Sequence, residues 1–254
     1  MAVSGPCHDC DVDTSGDPKP NAVTVLERPL YTSAEAAHLL RLRPDKVRRW
    51  LEGYHRAGKF YEPIIRIAPT GSDEVTWGEF VELGYLRAFR DARVSVQTLR
   101  PFIMLLREEF GIPYPLGHEG TYLADRRGLV LGIQRRSGVE ESLFMVIDPK
   151  RRGQLVIPST QPPLSEPVEQ FLRRIEFDGH VARRWMPFGE DSHVVIDPEQ
   201  NFGIPAIHGI RTEILADAFD ADESVAELAA GYGLERDEVE EAIRWERPRT
   251  EEAA

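Results

Sequence analysis

The stretch that decides the fold is TSAEAAHLLRLRPDKVRRWLEG, residues 32–53. Its apolar residues recur at helical spacing in two short runs, and two hydroxyl side chains open the first run, where a helix needs acceptors for its free N–H groups. Pro44 stands where a second helix would begin, a position at which the missing N–H of proline has no consequence. The stretch therefore predicts two short helices joined by a tight turn at residues 41–43, a helix-turn-helix.

The second helix carries a concentration of positive charge. Residues 41–59 contain seven Lys or Arg and two acidic residues, whereas the whole chain has a net charge of −12. A basic patch within an acidic protein is typical of a nucleic-acid contact, although an ordinary helix pair with a solvated basic face would have the same composition. The candidates for contact with phosphates and base edges of double-stranded DNA are Arg43, Lys46, Arg48 and Arg49.

A β-hairpin is predicted directly after the helix pair, over residues 60–77. Three isoleucines precede the turn-rich segment PTGSDE, and Val75 and Trp77 alternate on the far side. A hairpin in this position is a wing, and wings commonly lie against the DNA backbone. Arg66 on this hairpin is therefore a further candidate for DNA contact.

Composition excludes several classes of protein. No apolar run approaches the ~20 residues of a membrane helix, and the first residues lack a signal peptide, so we expect a cytoplasmic protein without a membrane partner. The two cysteines, Cys7 and Cys10, have no second pair with which to complete a zinc site, so we predict no metal. Phosphate-binding glycine loops and serine nucleophile elbows are absent, and we expect neither enzyme activity nor a cofactor.

Changes in composition divide the 254-residue chain into four segments, and the predicted fold class is α+β. Residues 1–28 are polar and are predicted to be disordered or loosely held. Residues 29–113 hold the winged helix-turn-helix and two further helices. In residues 114–192, short apolar runs alternate with turns and predict a β-rich meander. Residues 193–254 predict a hairpin followed by a three-helix, homeodomain-like unit with an acidic tail.

The last segment is strongly acidic. From residue 212 to residue 254 it contains fourteen acidic and four basic residues. Its final helix, ERDEVEEAIRWER, occupies the place of a recognition helix, but carboxylates there would be repelled by DNA phosphates. We therefore predict that this unit makes protein contacts, both as a symmetric homodimer and, through the acidic residues 235–252, with a basic partner surface.

The DNA-reading segment is similar to a known family. Residues 30–113 resemble the MerR-like winged helix-turn-helix proteins in the opening YTSAEAAHLL, the Pro44-led second helix containing RRW, and the aromatic helix that begins after Thr76. The segment RDARVSVQTLR in the following helices also fits the family pattern. The resemblance implies that this part of the chain reads double-stranded operator DNA.

The C-terminal segment resembles the small domain of unknown function found in bacterial VapB-type antitoxins. The pattern P-x-x-x-F-G-x-P-x-I-x-G-x-R, which precedes three helices in that family, runs here from Pro198 to Arg211. Together the two resemblances imply a DNA-binding antitoxin of a type II toxin–antitoxin module. They also imply a cognate toxin of the PIN-type ribonuclease fold and repression of the antitoxin's own operon.

Two other functions fit the same sequence. A stand-alone winged-helix transcription regulator would bind a ligand in its central β-rich region. An interaction scaffold would use the helix-turn-helix without touching DNA. A neighbouring gene for a small nuclease favours the antitoxin, and a ligand that raises the melting temperature favours the regulator.

Overall fold

In the computed structural model of the protein, the described residues are 25–118, 121–125, 128–133, 143–147, 154–158 and 166–247. Predictions about residues 1–24, with their two cysteines, and about residues 248–254 lie outside them. The described chain mixes helices with short antiparallel strand pairs, which confirms the α+β class. Leu26 belongs to the segment predicted to be loose, yet it is buried in the core. No helix in the described part is long and apolar enough to cross a membrane.

The N-terminal part consists of β1 (Pro29–Thr32), α1 (Ser33–Leu39), α2 (Pro44–Glu52), β2 (Tyr54–Arg56), β3 (Lys59–Tyr61), β4 (Glu74–Thr76), α3 (Trp77–Asp91) and α4 (Val96–Phe110). β1 pairs antiparallel with β4, so the ends of the helix-turn-helix segment are joined by a small sheet. At the start of α1, Thr32 and Glu35 form a capping box that satisfies two free N–H groups. The two helices and the cap agree with the sequence prediction.

The hairpin does not lie where the sequence predicts it. β2 pairs with β3 through a two-residue turn in which Ala57 and Gly58 have φ of 50° and 74°, the backbone that a tight hairpin requires. Ile64 and Ile65, predicted as strand residues, are buried and donate their N–H groups to the Trp50 carbonyl. β4 pairs with β1, which precedes the helices, and alternation within residues 60–77 carries no information about so distant a partner.

The central part is the meander of short strands that the sequence predicts. β5 (Thr121–Asp125), β6 (Gly128–Ile133), β7 (Leu143–Ile147) and β8 (Gln154–Pro158) form a four-stranded antiparallel sheet in sequence order. They are followed by α5 (Glu166–Arg173) and by the hairpin of β9 (Ile175–Asp178) and β10 (Val181–Trp185).

The C-terminal part comprises the two-residue strands β11 (Ala206–Ile207) and β12 (Ile210–Arg211) and the helices α6 (Thr212–Asp220), α7 (Val225–Tyr232) and α8 (Arg236–Glu246). Ser224 and Glu227 form the capping box of α7, which ends at Gly233 in the left-handed region, with φ of 69°. The chain thus turns tightly before α8, as the sequence predicts.

The buried apolar residues of the N-terminal and C-terminal parts form one cluster. The Phe80 ring of α3 lies 5.0 Å from Tyr31 and 5.6 Å from Trp185. The Trp77 indole N–H donates to the Ala182 carbonyl at 2.8 Å, and Trp185 meets Trp245 of α8 edge to face at 6.1 Å. The helix-turn-helix and the C-terminal helices therefore share a core.

Candidate nucleic-acid interface

α2 buries its apolar side and presents its cations to solvent. Its buried apolar side chains are Val47, Trp50 and Leu51. The exposed fractions of the arginine side chains are 78% for Arg43, 60% for Arg48 and 55% for Arg49. The carboxylates of Asp45 and Asp73 lie 3.3–3.7 Å from these guanidinium groups. Exposed pairs of this kind contribute about 0–1 kcal/mol each, so phosphate groups can replace the carboxylates.

Lys46 is less accessible than the three arginines. Its ammonium group lies 4.9 Å from the centre of the Trp50 ring, and burial lowers its pKa. The structure therefore brings three of the four predicted α2 contacts together on one exposed face and places Lys46 at the edge of that face.

Arg41, which the composition of the segment counts among its cations, has an internal role. It adopts φ of 50° where α1 ends, and the Leu42 N–H closes the turn on the Ala37 carbonyl at 2.8 Å. Its guanidinium lies 4.4 Å from the centre of the Trp245 ring and donates to the Trp245 carbonyl. The turn of the helix-turn-helix is thus held against α8.

The β2–β3 hairpin extends the positive surface of α2. Arg56 and Lys59 are exposed and directly opposite each other, and neither forms an ion pair within the described residues. Like charges in this position repel each other, which favours an anionic partner. Tyr54 and Tyr61 stack at 4.9 Å, and the Arg49 guanidinium lies 5.7 Å from the Tyr54 ring, so α2 and the hairpin form one surface. Below, the term cationic face refers to the surface formed by Arg43, Arg48, Arg49, Arg56 and Lys59.

The position of Arg66 corrects its prediction as a DNA contact. The residue is 8% exposed, and its guanidinium bonds to Glu79 at 2.7 Å, to Thr70 at 2.6 Å and to Glu52. Burial alone would raise the pKa of Glu52, but bonds from Gly71, Thr70 and Arg66 outweigh burial and lower it. Arg66 therefore fastens the end of α2 to the following loop and to α3, out of reach of DNA.

α8 turns two of its carboxylates inward. Glu241 accepts hydrogen bonds from the Ser192 hydroxyl at 2.8 Å and from the backbone N–H groups of His193 and Val194 at 3.0 and 3.1 Å. Glu238 is also buried and bonds to His208 at 2.7 Å. The exposed charged residues of α8 and its two ends are Glu235, Asp237, Glu240, Arg236, Arg244 and Arg247.

These positions overturn the sequence argument about α8. Its exposed charges balance, so repulsion from DNA is not its distinguishing property. Within the predicted free tail, residues 235–252, Arg236–Glu246 form a packed helix, and residues 248–252 lie outside the described residues. Exposed carboxylates without interspersed bases lie instead on α6, the following turn and α7, in a stretch from residue 212 to residue 235 that contains no Lys or Arg. Below, the term acidic face refers to the exposed carboxylates of Glu213, Asp217, Asp220, Asp222, Glu223 and Glu227.

Two protein-family models match separate parts of the chain. Residues 29–103 match a family described as "Putative DNA-binding HTH domain", a range that contains the whole cationic face. Residues 194–245 match a family described as "Protein of unknown function (DUF433)", which covers the strand-and-helix unit with the acidic face. The N-terminal side of the chain is therefore similar to a family of helix-turn-helix domains that is described as DNA-binding.

Relatives from Mycobacterium tuberculosis match nearly the whole length. "Uncharacterized protein Rv2308" is 31% identical over 234 residues, which cover 88% of this chain and 92% of that protein. "Putative antitoxin VapB45" is 29% identical over 227 residues, or 85% of this chain and 92% of that protein. Among solved structures, the crystal structure of Rv2018 from Mycobacterium tuberculosis is 26% identical, with a TM-score of 0.58 over 85% of this chain and 97% of that one.

Proposed function

The chain belongs to the family of the Mycobacterium tuberculosis protein Rv2308, and we propose that it is the DNA-binding antitoxin of a type II toxin–antitoxin module. The observation that carries the DNA-binding role is the cationic face, which stands out on a chain of net charge −12. The antitoxin role is supported by the likeness to the protein named "Putative antitoxin VapB45".

The cationic face suits double-stranded DNA in two ways. α2 is nine residues long, and with Arg48 and Arg49 exposed it fits the major groove as a recognition helix. Arg56 and Lys59 at the hairpin turn would then contact backbone phosphates beside that groove. A homodimer would place two such readers on a palindromic operator, and closed twofold dimers are the commonest assembly.

The acidic face suits the toxin. A ribonuclease of the PIN type binds a polyanion, so its substrate groove attracts carboxylates as it attracts phosphates. The antitoxin would neutralise the enzyme by covering that groove and, with or without bound toxin, would repress its own promoter. Proteolysis of the antitoxin would then release both the promoter and the toxin.

The DNA-binding role is tested by fluorescence anisotropy with the DNA upstream of the protein's own gene. Removing one phosphate contact reduces the steepness of log affinity against log salt by about 0.9, so replacing Arg56 and Lys59 by alanine should reduce it by about 2. Replacing Arg236 and Arg244 of α8 by alanine is the matched control and should leave the slope unchanged. Equal affinity for upstream and scrambled DNA at every salt concentration would contradict the role.

The toxin-binding role is tested with the protein encoded beside this gene. Changing Asp222 and Glu223 to lysine reverses charge at the centre of the acidic face without touching the core. We expect these changes to weaken the complex at least about 10-fold in calorimetry. Unchanged affinity of the variant for this protein would show that the contact lies outside the acidic face. Absence of any complex with the wild-type chain would contradict the antitoxin role.

One observation favours the ligand-controlled regulator as a second candidate. A polar cavity of about 270 Å³ beside β10 is lined by His193, His208, Arg184 and Asp197. Asp197 is 3% exposed, and its Oδ2 atom accepts no hydrogen bond within the described residues, although the Arg184 Nε atom lies 3.6 Å away. A small polar ligand that raises the melting temperature and changes DNA affinity, both through Asp197, would favour this function.

A further inference from the structure

The loop before β11 holds a bulky side chain in an unfavourable position. Asn201, Phe202 and Gly203 all have positive φ, of 49°, 55° and 73°. The left-handed region is strained for a phenylalanine, and such outliers persist where the surroundings enforce them and often mark functional sites. Phe202 is also 68% exposed, so burial within the chain does little to offset its strain.

The loop is fixed to the helix-turn-helix. The Tyr31 hydroxyl donates to the Gly203 carbonyl at 2.8 Å, and Arg28 donates to the Pro198 carbonyl at 3.0 Å. A Cβ atom on Gly203 would overlap the Tyr31 hydroxyl, so no larger residue fits there. The Phe202 ring is therefore held outward by a rigid support, as an aromatic anchor at a protein interface is.

An apolar groove of about 490 Å³ adjoins this ring, between α1 and the C-terminal part. Its apolar lining is Leu30, Ala34, Leu39, Phe202, Ile204 and Pro205. The charges around it are of both signs: Glu35 and Glu213 line the groove, Arg28 lies 5.9 Å from the Phe202 ring, and Arg211 pairs with Glu213 at 3.3 Å. A surface with a protruding ring, a groove and mixed charges can complement itself.

We propose that this surface is the contact between two copies of the chain, with Phe202 of each copy seated in the groove of the other. A knob and a hole on one patch satisfy the requirement of a closed twofold interface, in which the same residues serve both partners. The mixed charges favour a second copy over a strongly basic or acidic partner. This contact deepens the proposed function, because it supplies the dimer that reads a palindrome.

Sedimentation equilibrium of two variants tests the contact from both sides. Phe202→Ser removes the knob, and Ala34→Arg fills the groove from an exposed position on α1. We expect the wild-type chain to dimerise and each variant to raise the dimer dissociation constant at least about 100-fold. Ile67→Ser, which changes an apolar residue of 71% exposure outside the groove, is the matched control and should stay within about threefold of the wild type. Far-UV circular dichroism spectra that match the wild type would show that the variants are folded, because loss of a dimer by itself lowers the melting temperature.

A cross-linking experiment checks the geometry. The cross-linking uses a chain with Cys7 and Cys10 changed to serine. An Ala34→Cys variant mixed at high concentration with a Phe202→Cys variant keeps one Phe202 ring in a groove, so it should form a disulfide-linked pair under mild oxidation, and each variant alone should form far less. A monomeric wild-type chain would overturn the proposal, as would a dimer that both variants leave intact; the groove would then serve another occupant, such as the toxin. DNA affinity separates the outcomes: an intact dimer in both variants with normal DNA binding rejects this contact alone. A dimer that binds no upstream DNA rejects the proposed function alone.

Discussion

α2 and α8 occupy comparable places, each directly after a tight turn that follows another helix, and they use their charges in opposite ways. Both bury an apolar side that includes a tryptophan, Trp50 in α2 and Trp245 in α8. α2 exposes three arginines of its segment, whereas α8 buries two of its carboxylates and exposes as many bases as acids. The count of charges in a helix therefore says less about its partner than the side on which those charges lie.

Each helix also sends one carboxylate inward for support. Glu52 of α2 meets the Arg66 guanidinium and the Gly71 N–H, and Glu241 of α8 meets the backbone N–H groups of His193 and Val194. These contacts set the orientation of the helices, and hence of their exposed faces. Four changes test the comparison, in order of decreasing expected effect.

The largest effect is expected where a cation supports α2. Arg66→Met leaves the Glu79 carboxylate, 6% exposed, without its guanidinium partner. Breaking a buried pair in this way costs about 3–5 kcal/mol of unfolding free energy, measurable by urea denaturation. Arg43→Met removes an arginine from the exposed face and should change stability by less than about 0.5 kcal/mol. Similar stabilities of the two variants would show that the inward support of α2 is unimportant.

The next largest effect is expected on DNA affinity, when the exposed arginines of α2 and of α8 are reversed in charge and compared. Changing Arg48 and Arg49 to glutamate should weaken DNA binding about 100-fold or more, because each change removes a cation and adds repulsion. The same changes at Arg236 and Arg244 of α8 should have less than about a threefold effect, since α8 lies outside the proposed groove contact. Equal losses in anisotropy titrations would mean that both helices approach DNA, and the contrast between them would fail.

The adjacent residues Glu240 and Glu241 of α8 test whether its inward-facing carboxylate stabilises the fold. Glu241→Ala leaves the N–H groups of His193 and Val194 without their acceptor, which should cost about 1–3 kcal/mol. Glu240→Ala changes the adjacent, exposed carboxylate and should cost less than about 0.5 kcal/mol. If thermal or urea unfolding gave the same result for both, the burial of Glu241 would contribute nothing to stability.

The smallest effect is expected for Glu82, a buried carboxyl group on α3 that belongs to neither α2 nor α8. Burial raises the pKa of Glu82 on α3 to about 8, although Arg107 lies 2.8 Å away. In the unfolded chain this group ionises near its ordinary value, so folding stability is complete at low pH and falls as pH rises through the interval up to about 8. Between pH 6 and 8 the decrease should be on the order of 1–2 kcal/mol.

Glu82→Gln supplies the control for that pH dependence. Its amide cannot ionise, so the decrease in unfolding free energy between pH 6 and 8 should be smaller than in the wild-type chain by about that amount. Parallel pH profiles for the two chains would show that Glu82 is already ionised in the fold.

Local patterns in the sequence were sufficient for the helices. Thr32 and Glu35 mark the start of α1, Pro44 marks the start of α2, and Ser224 with Glu227 marks α7, because caps and helix periodicity depend on residues a few positions apart. The strands of the central meander were found for the same reason. The DNA-contacting role of the arginines on α2 remains a prediction.

What the sequence could not show depends on distant contacts. The β1–β4 pairing joins residues about forty positions apart, and the burial of Arg66 depends on Glu79 in the next helix. Arg66 and Arg48 are alike in the sequence, since each follows an apolar residue in a segment rich in turns or charges. The Ala57–Gly58 turn between aromatic residues was a local signal for the real hairpin, but the three isoleucines that follow gave a stronger β pattern.

The contact between Arg41 and Trp245 limits how the helix-turn-helix segment could be transferred to another protein. The matched DNA-binding family ends at residue 103, yet the turn of its helix-turn-helix rests on residue 245, and Trp77 bonds to residue 182. Grafting residues 29–103 onto an unrelated effector would leave an indole N–H and a guanidinium without their acceptors and expose one side of the core. The smallest segment that could carry the helix-turn-helix into another protein with its packing intact is therefore nearly the whole chain.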